Sequence, residues 1–358
     1  MLLLNPGPVS LSERVRQSLL RPDLCHRESE FFDLQDEVRS RLLSTYELDA
    51  ALWNAVLMTA SGTAAVESMV AALVPPDGRL LIVENGVYGE RIAQICARYG
   101  IAHERMVGDW MQAPERAAIE QRLASQGASR AFSHVALVHH ETTTGRLNDL
   151  RSLLDLCGQY GARLLVDGVS SFGAEAIDFA DAALAAVAAT ANKCLHGVPG
   201  AAFVLARRSD LQGAVSRTYY LDLGRLARLQ DERNTPFTPA VHAYYALAEA
   251  LREYAEQGGR SARYQRYAAF AEQVRSGFAD LGIACAIPPA ESSVVLRAYR
   301  LPDGISYLRL HDALKRDGFV IYAGQGNLSN SLFRISTMGN LNAGDIDRLL
   351  QCFERLLR

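Results

Sequence analysis

The 358-residue chain has no apolar run long enough to span a bilayer, no excess of positive charge and no cysteine pair at metal-binding spacing. Each absence excludes something. A spanning helix needs about 20 consecutive apolar residues, and the runs here are shorter and interrupted. The formal net charge is −3, without the clustered Lys and Arg of a nucleic-acid binder or the basic amphipathic segment of a membrane-surface protein. Cys25, Cys96, Cys157, Cys194, Cys285 and Cys352 are scattered with no CxxC pair, so reduced thiols in a cytoplasmic protein are expected. The opening MLLLNPGPVS has neither a basic n-region nor a full apolar h-region, and no secretory signal is expected. No internal repeat or low-complexity segment is present. The nearest approach to a dinucleotide fingerprint, Gly324-Gln325-Gly326-Asn327-Leu328-Ser329, lacks its third glycine and lies late; it reads as a loop.

What is present fits an ordinary globular protein, 49% hydrophobic and 22% charged, large enough for one large domain and one smaller. Apolar runs at 53–59, 79–84, 103–107, 134–139, 164–166 and 201–205 read as strands. Helical patterns lie between them, one ending at 73 and others over 90–98, 114–126 and 150–160, with a loop at 85–89. Strands alternating with helices imply an α/β fold with a mostly parallel sheet covered on both faces. The 234–239 stretch breaks the chain, then helices follow at 240–256 and 263–281. Short strands at 293–299, 319–322 and 332–335, with helices at 306–316 and 342–357, make a small α+β domain. The expected division is an N-terminal arm over 1–14, a large domain over 15–256 and a small C-terminal domain over 257–358.

The segment Arg163 to Ala206 carries the chemistry. Leu164-Leu165-Val166 stops at Asp167, and Lys193 stands before the turn Gly197-Val198-Pro199-Gly200 and the run Ala201–Leu205. Ligands of open α/β sheets bind beyond the carboxyl ends of the strands. Pyridoxal phosphate needs a lysine amine for its aldehyde carbon and an anion beside its pyridine nitrogen, and Lys193 and Asp167 supply both types. The plain alternative is a turn-capping Asp and a solvated Lys. Ser61-Gly62-Thr63, between a strand and a helix, suits a phosphate cradle and equally a plain N-cap. Tyr88, in the loop after the 79–84 strand, could stack on a flat ring or simply pack. His139-His140-Glu141 tempts a metal reading, but adjacent strand residues face opposite ways, so no metal is expected. Thr142-Thr143-Thr144 reads as hydroxyl donors at a strand end.

Asp-Gly-Val-Ser-Ser-Phe-Gly from Asp167, and Thr-Ala-Asn-Lys-Cys with Gly-Val-Pro-Gly-Ala-Ala-Phe-Val, resemble the fold-type I PLP-dependent transferases. More narrowly they are similar to the 2-aminoethylphosphonate–pyruvate transaminases, with alanine– and serine–glyoxylate aminotransferases next. The resemblance covers nearly the whole chain and is most specific over 133–145 and 164–205. It implies an α/β/α large domain plus a small α+β domain, pyridoxal 5'-phosphate as cofactor and a homodimer with shared active sites. By position, Lys193 matches the cofactor-binding lysine and Asp167 the partner of the pyridine nitrogen. Ser61, Gly62 and Thr63 match the phosphate cradle, and Tyr88 the stacking aromatic. Thr142 matches a hydroxyl near the pyridine oxygen, Val169 the residue under the ring, and Asn192 a polar neighbour of the cofactor. Thr238, in Thr238-Pro239-Ala240-Val241, would reach the partner's phosphate. Arg334, in Phe333-Arg334-Ile335-Ser336, would hold the substrate's carboxylate or phosphonate by a two-pronged contact.

The implied reaction moves an amino group from 2-aminoethylphosphonate to pyruvate, giving phosphonoacetaldehyde and alanine. Some residues depart from that pattern. His26-Arg27-x-x-Glu30-Phe31 looks more like the glyoxylate enzymes. Tyr322-Ala323-Gly324-Gln325 replaces a Tyr-Pro-Gly-Lys version and loses a lysine that could meet a dianion, a role for which Arg27 or hydroxyls near the N-terminal loop are candidates. Thr235 stands where some relatives have tyrosine. The alternatives are an alanine or serine–glyoxylate aminotransferase, and a lyase or desulfurase on the same fold, for which Cys194 is the only nearby thiol.

Overall fold

A computed structural model describes residues 1–125, 127 and 131–357. Seven strands form the central sheet. Their spatial order is Trp53–Met58, Ala202–Arg207, Leu184–Thr190, Arg163–Asp167, His134–Val138, Leu80–Glu84 and His103–Val107. The last five run parallel to one another, and Ala202–Arg207 is antiparallel to both of its neighbours. All strands but that one therefore point to the same edge.

Successive strand residues face opposite layers. Leu57, Leu81, Val83, Leu137 and Val166 enter one core, while Val56, Met58, Ile82, Ala136 and Leu165 enter the other. Covering both faces is what makes these strands read as unbroken apolar runs. The outermost strand, His-Glu-Arg-Met-Val, is only partly covered, as an edge allows.

The strand Leu184–Thr190 was not legible. Its Leu-Ala-Ala-Val-Ala-Ala-Thr sequence has no periodicity, and alanine favours helix when isolated. Tertiary packing overrides that preference: the small side chains accept the helix Gly62–Leu73 lying across them. This strand changes the placement of Lys193. The lysine follows the end of Leu184–Thr190, which pairs directly with Arg163–Asp167. Asp167 and Lys193 thus lie beyond the ends of neighbouring parallel strands.

Other elements differ in extent. The helix expected from 90 begins at Val87, directly after Gly86, so Tyr88 is on a helical first turn and not in a loop. His140–Glu141 pairs with Arg146–Leu147, folding the threonine run into a hairpin turn. The helix expected over 114–126 spans Arg116–Ala124, and Gln126 lies outside the described residues. The helix expected from 263 begins at Gly259, two residues after Gln257 caps Val241–Glu256.

The C-terminal part builds its own core around Phe278, Phe333 and Phe353. Its antiparallel sheet has the order Leu296–Arg300, Leu332–Ser336, Tyr322–Ala323. The expected strand at 319–322 is two short ones. Phe319–Val320 pairs instead with Leu2–Leu3 of the arm. The arm is therefore stitched to the small sheet: Leu4 enters its core, and the Leu4 carbonyl accepts from Ser336 N–H at 2.8 Å.

Candidate active site

The common edge of the large sheet gathers most of the residues singled out by sequence. Asp167 ends its strand only 8% exposed, and its Oδ1 accepts from Val169 N–H at 3.0 Å. Burial raises its carboxyl to about 6, against the lowering effect of that bond, of Arg91 and of Lys193. It still ionises at neutral pH. Burial lowers the Lys193 amine to about 8, helped by the positive charges of Arg334 and Arg91 and opposed by Cys194 and Asp167. At pH 7 roughly a tenth of such an amine is free base, hundreds of times the fraction of an ordinary lysine. Lys193 Nζ donates to the carbonyl of Pro6, so the arm passes directly over it. Gly7 leaves room for this: a Cβ there would stand 2.7 Å from Nζ.

Ser61 occupies the N-cap position of the helix Gly62–Leu73, yet its side chain makes no capping bond. Its hydroxyl and the first N–H groups of the helix are left for another acceptor. Gly62 is buried against the next site residue; a Cβ would lie 2.8 Å from Val169 Cγ1. The helix start and the Asp167 loop can therefore approach only through a glycine. Thr63 Oγ1 accepts from Arg91 at 3.0 Å, and the Arg91 guanidinium lies 4.7 Å from the Tyr88 ring centroid. Asn192 Oδ1 accepts from Thr190 Oγ1 at 2.8 Å, which fixes it beside the lysine.

Glu141, which the sequence offers only as part of a dismissed metal set, has a different place in the structure. It is fully buried, and its carboxylate accepts from Thr143 Oγ1 at 2.6 Å, Thr143 N–H at 3.1 Å and Tyr88 N–H at 3.2 Å. Burial raises its carboxyl to about 7, helped by the Asp167 charge and opposed by the Thr143 bonds and the Gly89 backbone. It ties the Tyr88 turn to the threonine hairpin. The neighbouring histidines are held separately, His139 Nδ1 to Ser171 Oγ at 3.0 Å and His140 Nδ1 to the Ser170 carbonyl at 3.3 Å. Among the described residues no group of three or more His, Cys, Asp or Glu is placed to hold a metal ion.

Arg334 reaches this edge from the small sheet. Its Nε donates to the Ala323 carbonyl at 2.8 Å, and its Nη1 to the Thr142 carbonyl and to Gln325 Oε1, each at 3.0 Å. Thr142 thus meets Arg334 through its backbone. Three of the five guanidinium N–H groups are engaged. A two-pronged contact with an acid needs one of these bonds to yield, and the exchangeable one is the Gln325 side chain. Burial lowers the Arg334 pKa, opposed by Tyr88 and Glu141.

Thr238 is the outlying member. It is exposed, near the end of the strand Trp53–Met58, where the Ala240 N–H donates to Thr59 Oγ1 at 2.8 Å. Around it lie Tyr219, 75% exposed, Tyr220 and Phe237, with the last two ring centroids 4.8 Å apart. Arg27 belongs to the same region and donates to the Thr235 carbonyl at 2.6 Å and to Asn234 Oδ1 at 3.1 Å. The sequence carries one further signal: the chain has two lysines, Lys193 and the exposed Lys315. Where arginine has otherwise replaced lysine, a lysine that remains half-buried invites attention.

Comparison with known proteins places this geometry. The family model described as aminotransferase class-V matches residues 21–349. A 2-aminoethylphosphonate–pyruvate transaminase of Vibrio cholerae serotype O1 is 35% identical over 362 residues, covering 99% of this chain and 97% of the relative. One from Klebsiella pneumoniae subsp. pneumoniae is 36% identical over 365 residues, covering 99% and 97%. Among solved structures, an alanine–glyoxylate aminotransferase from Nostoc sp. superposes with a TM-score of 0.92 at 27% identity, covering 100% of this chain and 95% of that one. An aspartate aminotransferase from Thermus thermophilus gives 0.91 at 27% identity, covering 100% and 99%. A half-buried lysine and a buried carboxylate at neighbouring strand ends, in a chain matched by this family almost from end to end, leave one assignment: the protein is a transaminase of the class-V aminotransferase family.

Proposed function

We propose that the protein uses pyridoxal 5'-phosphate to move an amino group from 2-aminoethylphosphonate to pyruvate, giving phosphonoacetaldehyde and L-alanine. The observation that carries the chemistry is the meeting of the Lys193 amine and the Asp167 carboxylate at one sheet edge, with Arg334 facing them. The choice of donor and acceptor rests on the names of the relatives. The residues suit the cofactor: an uncapped Ser61 at a helix start, the Gly62 approach to Val169, and a lysine with a lowered pKa beside a buried acid. When bound, pyridoxal phosphate supplies a conjugated ring that accepts electrons from the carbon being deprotonated.

In this reading the hydroxyls of Ser61 and Thr63 and the N–H groups at the start of the helix Gly62–Leu73 bind the phosphate. Tyr88 and Val169 bracket the ring, with the Thr142 hydroxyl and Asn192 at its edge. Asp167 holds a proton on the ring nitrogen. Its carboxylate character at neutral pH is what that task requires, and a cationic partner would oppose the rise that burial causes. Lys193 Nζ, neutral in useful amounts near pH 7, would take the proton from the amino-bearing carbon of the donor and deliver it to the carbon on the other side of the nitrogen. Arg334 holds the acid group of donor and acceptor in turn, exchanging the Gln325 contact for it.

The same reading makes the active unit a homodimer. Thr238 and Arg27 lie on an exposed, aromatic-rich face, and two-fold symmetry would carry both to the partner's phosphate and substrate. It divides the chain into an arm over 1–14, a large domain over 15–256 and a small domain over 257–358, and it places the enzyme in the cytoplasm, where six free cysteines are at home. No helix among the described residues is long and apolar enough to cross a membrane. Sulfur transfer is disfavoured by a specific observation: Cys194 is buried, its thiol raised to about 12, and its Sγ faces the Ser170 carbonyl at 3.4 Å. A thiolate is not available there. The test is a donor and keto-acid panel with product analysis. Phosphonoacetaldehyde and alanine are expected; an eliminated or sulfur-transferred product would contradict the reading.

A further inference from the structure

The proposed phosphate cradle contains hydroxyls and N–H groups but no formal cation, although the group it would bind is a dianion. Helix Val87–Arg98 brings a cation to its border. Arg91 lies three residues after Tyr88, so both side chains leave the helix on one face. Its Nη1 donates to Thr63 Oγ1 at 3.0 Å, and its guanidinium carbon lies 4.7 Å from the Tyr88 ring centroid. It is also close enough to influence the charges of Asp167 and Lys193. Neither of its two contacts, a hydroxyl oxygen and a ring face, carries a formal charge. A half-buried guanidinium held in this way has lost part of its hydration and has no carboxylate bonded directly to it, with Asp167 acting only from a distance, an arrangement that favours the arrival of an anion.

The direction of the Thr63 bond matters. A hydroxyl has one proton and two acceptor sites. Because Thr63 Oγ1 accepts from Arg91, its own proton is left to donate elsewhere. Thr63 stands in the first turn of the helix Gly62–Leu73, next to a Ser61 that also lacks a capping bond. We infer that Arg91 is the cationic member of the phosphate cradle, supplying positive charge to the cofactor's phosphoryl group and aiming the Thr63 hydroxyl proton at it. The inference rests on the pyridoxal-phosphate reading. A phosphoryl dianion could also come from the phosphonate tail of the donor, and the experiment separates the two sources.

The experiment measures affinity of the cofactor-free protein for pyridoxal phosphate and for pyridoxal, which lacks the phosphate, by absorbance titration of wild type, Arg91→Gln and Arg91→Lys. Arg91→Gln should weaken pyridoxal phosphate by about tenfold or more, as expected for loss of a charge-assisted contact. Pyridoxal affinity should change much less, and Arg91→Lys should fall between wild type and Arg91→Gln. The phosphorus resonance of the bound cofactor should move in both variants. Equal loss for both ligands would mean that Arg91 only braces Tyr88, and would overturn the inference. So would unchanged cofactor affinity with a raised KM for 2-aminoethylphosphonate, which would assign the arginine to the donor's tail. If Arg91→Gln does not fold, the ratio of the two affinities in Arg91→Lys decides. Wild-type protein that fails to bind pyridoxal phosphate at all would instead remove the underlying reading.

Discussion

The two ends of the proposed site are put together differently. Ser61, Gly62, Thr63, Asp167, Val169 and Lys193 all stand just beyond the ends of strands in one sheet, with both faces of that sheet buried. Arg334 and Gln325 come from a separate small sheet, and Pro6 from an arm stitched to that sheet. The first group is positioned by a sheet buried on both faces, the second by segments more than a hundred residues in sequence from Asp167 and Lys193. Sites built on regular elements hold their geometry more tightly than sites on loops. The cofactor end should therefore respond to substitution nearly all-or-none, and the acid end in degrees.

The sharpest break of that comparison is at Lys193. Lys193→Ala should lose essentially all turnover, and borohydride should no longer fix pyridoxal phosphate to the protein. With Lys315 the sole other lysine, peptide mapping has only one competing side chain to exclude. Label found on Lys315 in the wild type would refute the assignment.

Asp167→Asn comes next. The side chain keeps its size and loses its charge. Cofactor should remain bound, while kcat falls about a hundredfold or more, in the range of roughly 3 kcal/mol seen for strong preorganised electrostatic contacts. Turnover within a few-fold of wild type would mean that the carboxylate is only structural.

At the acid end the expected effects are smaller and fall on KM. Arg334→Lys preserves charge but not the fork, so KM for donor and for pyruvate should rise together, by about tenfold, with a lesser change in kcat. Gln325→Lys should give the smallest effect: about a two- to fivefold gain in kcat/KM for the phosphonate, the scale of one partly exposed ion pair. A loss larger than that of Arg334→Lys would show that Gln325 does more than occupy a guanidinium between turnovers.

A pH experiment probes the lysine without substitution. The free base of Lys193 is the form that can capture an aldehyde. Since burial lowers its pKa to about 8, the rate of pyridoxal phosphate capture by cofactor-free protein should climb from pH 6 and level off above about pH 8. For an ordinary lysine the climb would continue beyond pH 10.

The same comparison explains what the sequence disclosed. Asp167 was legible because Leu164-Leu165-Val166 is an uninterrupted apolar run that stops at a carboxylate. Lys193 was legible from its motif, but the strand that carries it was hidden by alanines whose strand character depends on a helix packed across them. Tyr88 was identified and placed in a loop, because the helix start after Gly86 has no capping side chain to announce it. The role of Glu141, considered only as a metal ligand, and that of Arg91 are hidden for a different reason. Each acts through a contact between elements, Glu141 to the Tyr88 turn and Arg91 to Thr63 on another helix, and no spacing in the chain encodes that meeting. The passage of Pro6 over Lys193 is of the same kind: Asn-Pro-Gly-Pro declares an extended segment, but only the pairing of Leu2–Leu3 with Phe319–Val320 says where it lies.

The central claim is that this sheet edge carries out transamination of a phosphonate amine with pyruvate. The most direct test is kcat/KM for 2-aminoethylphosphonate, alanine and serine as donors, each with pyruvate and with glyoxylate as acceptor (alanine with glyoxylate only), using the purified cofactor-loaded enzyme. The account predicts that 2-aminoethylphosphonate with pyruvate leads clearly, with phosphonoacetaldehyde and alanine as products. A clear preference for serine or alanine with glyoxylate would contradict it.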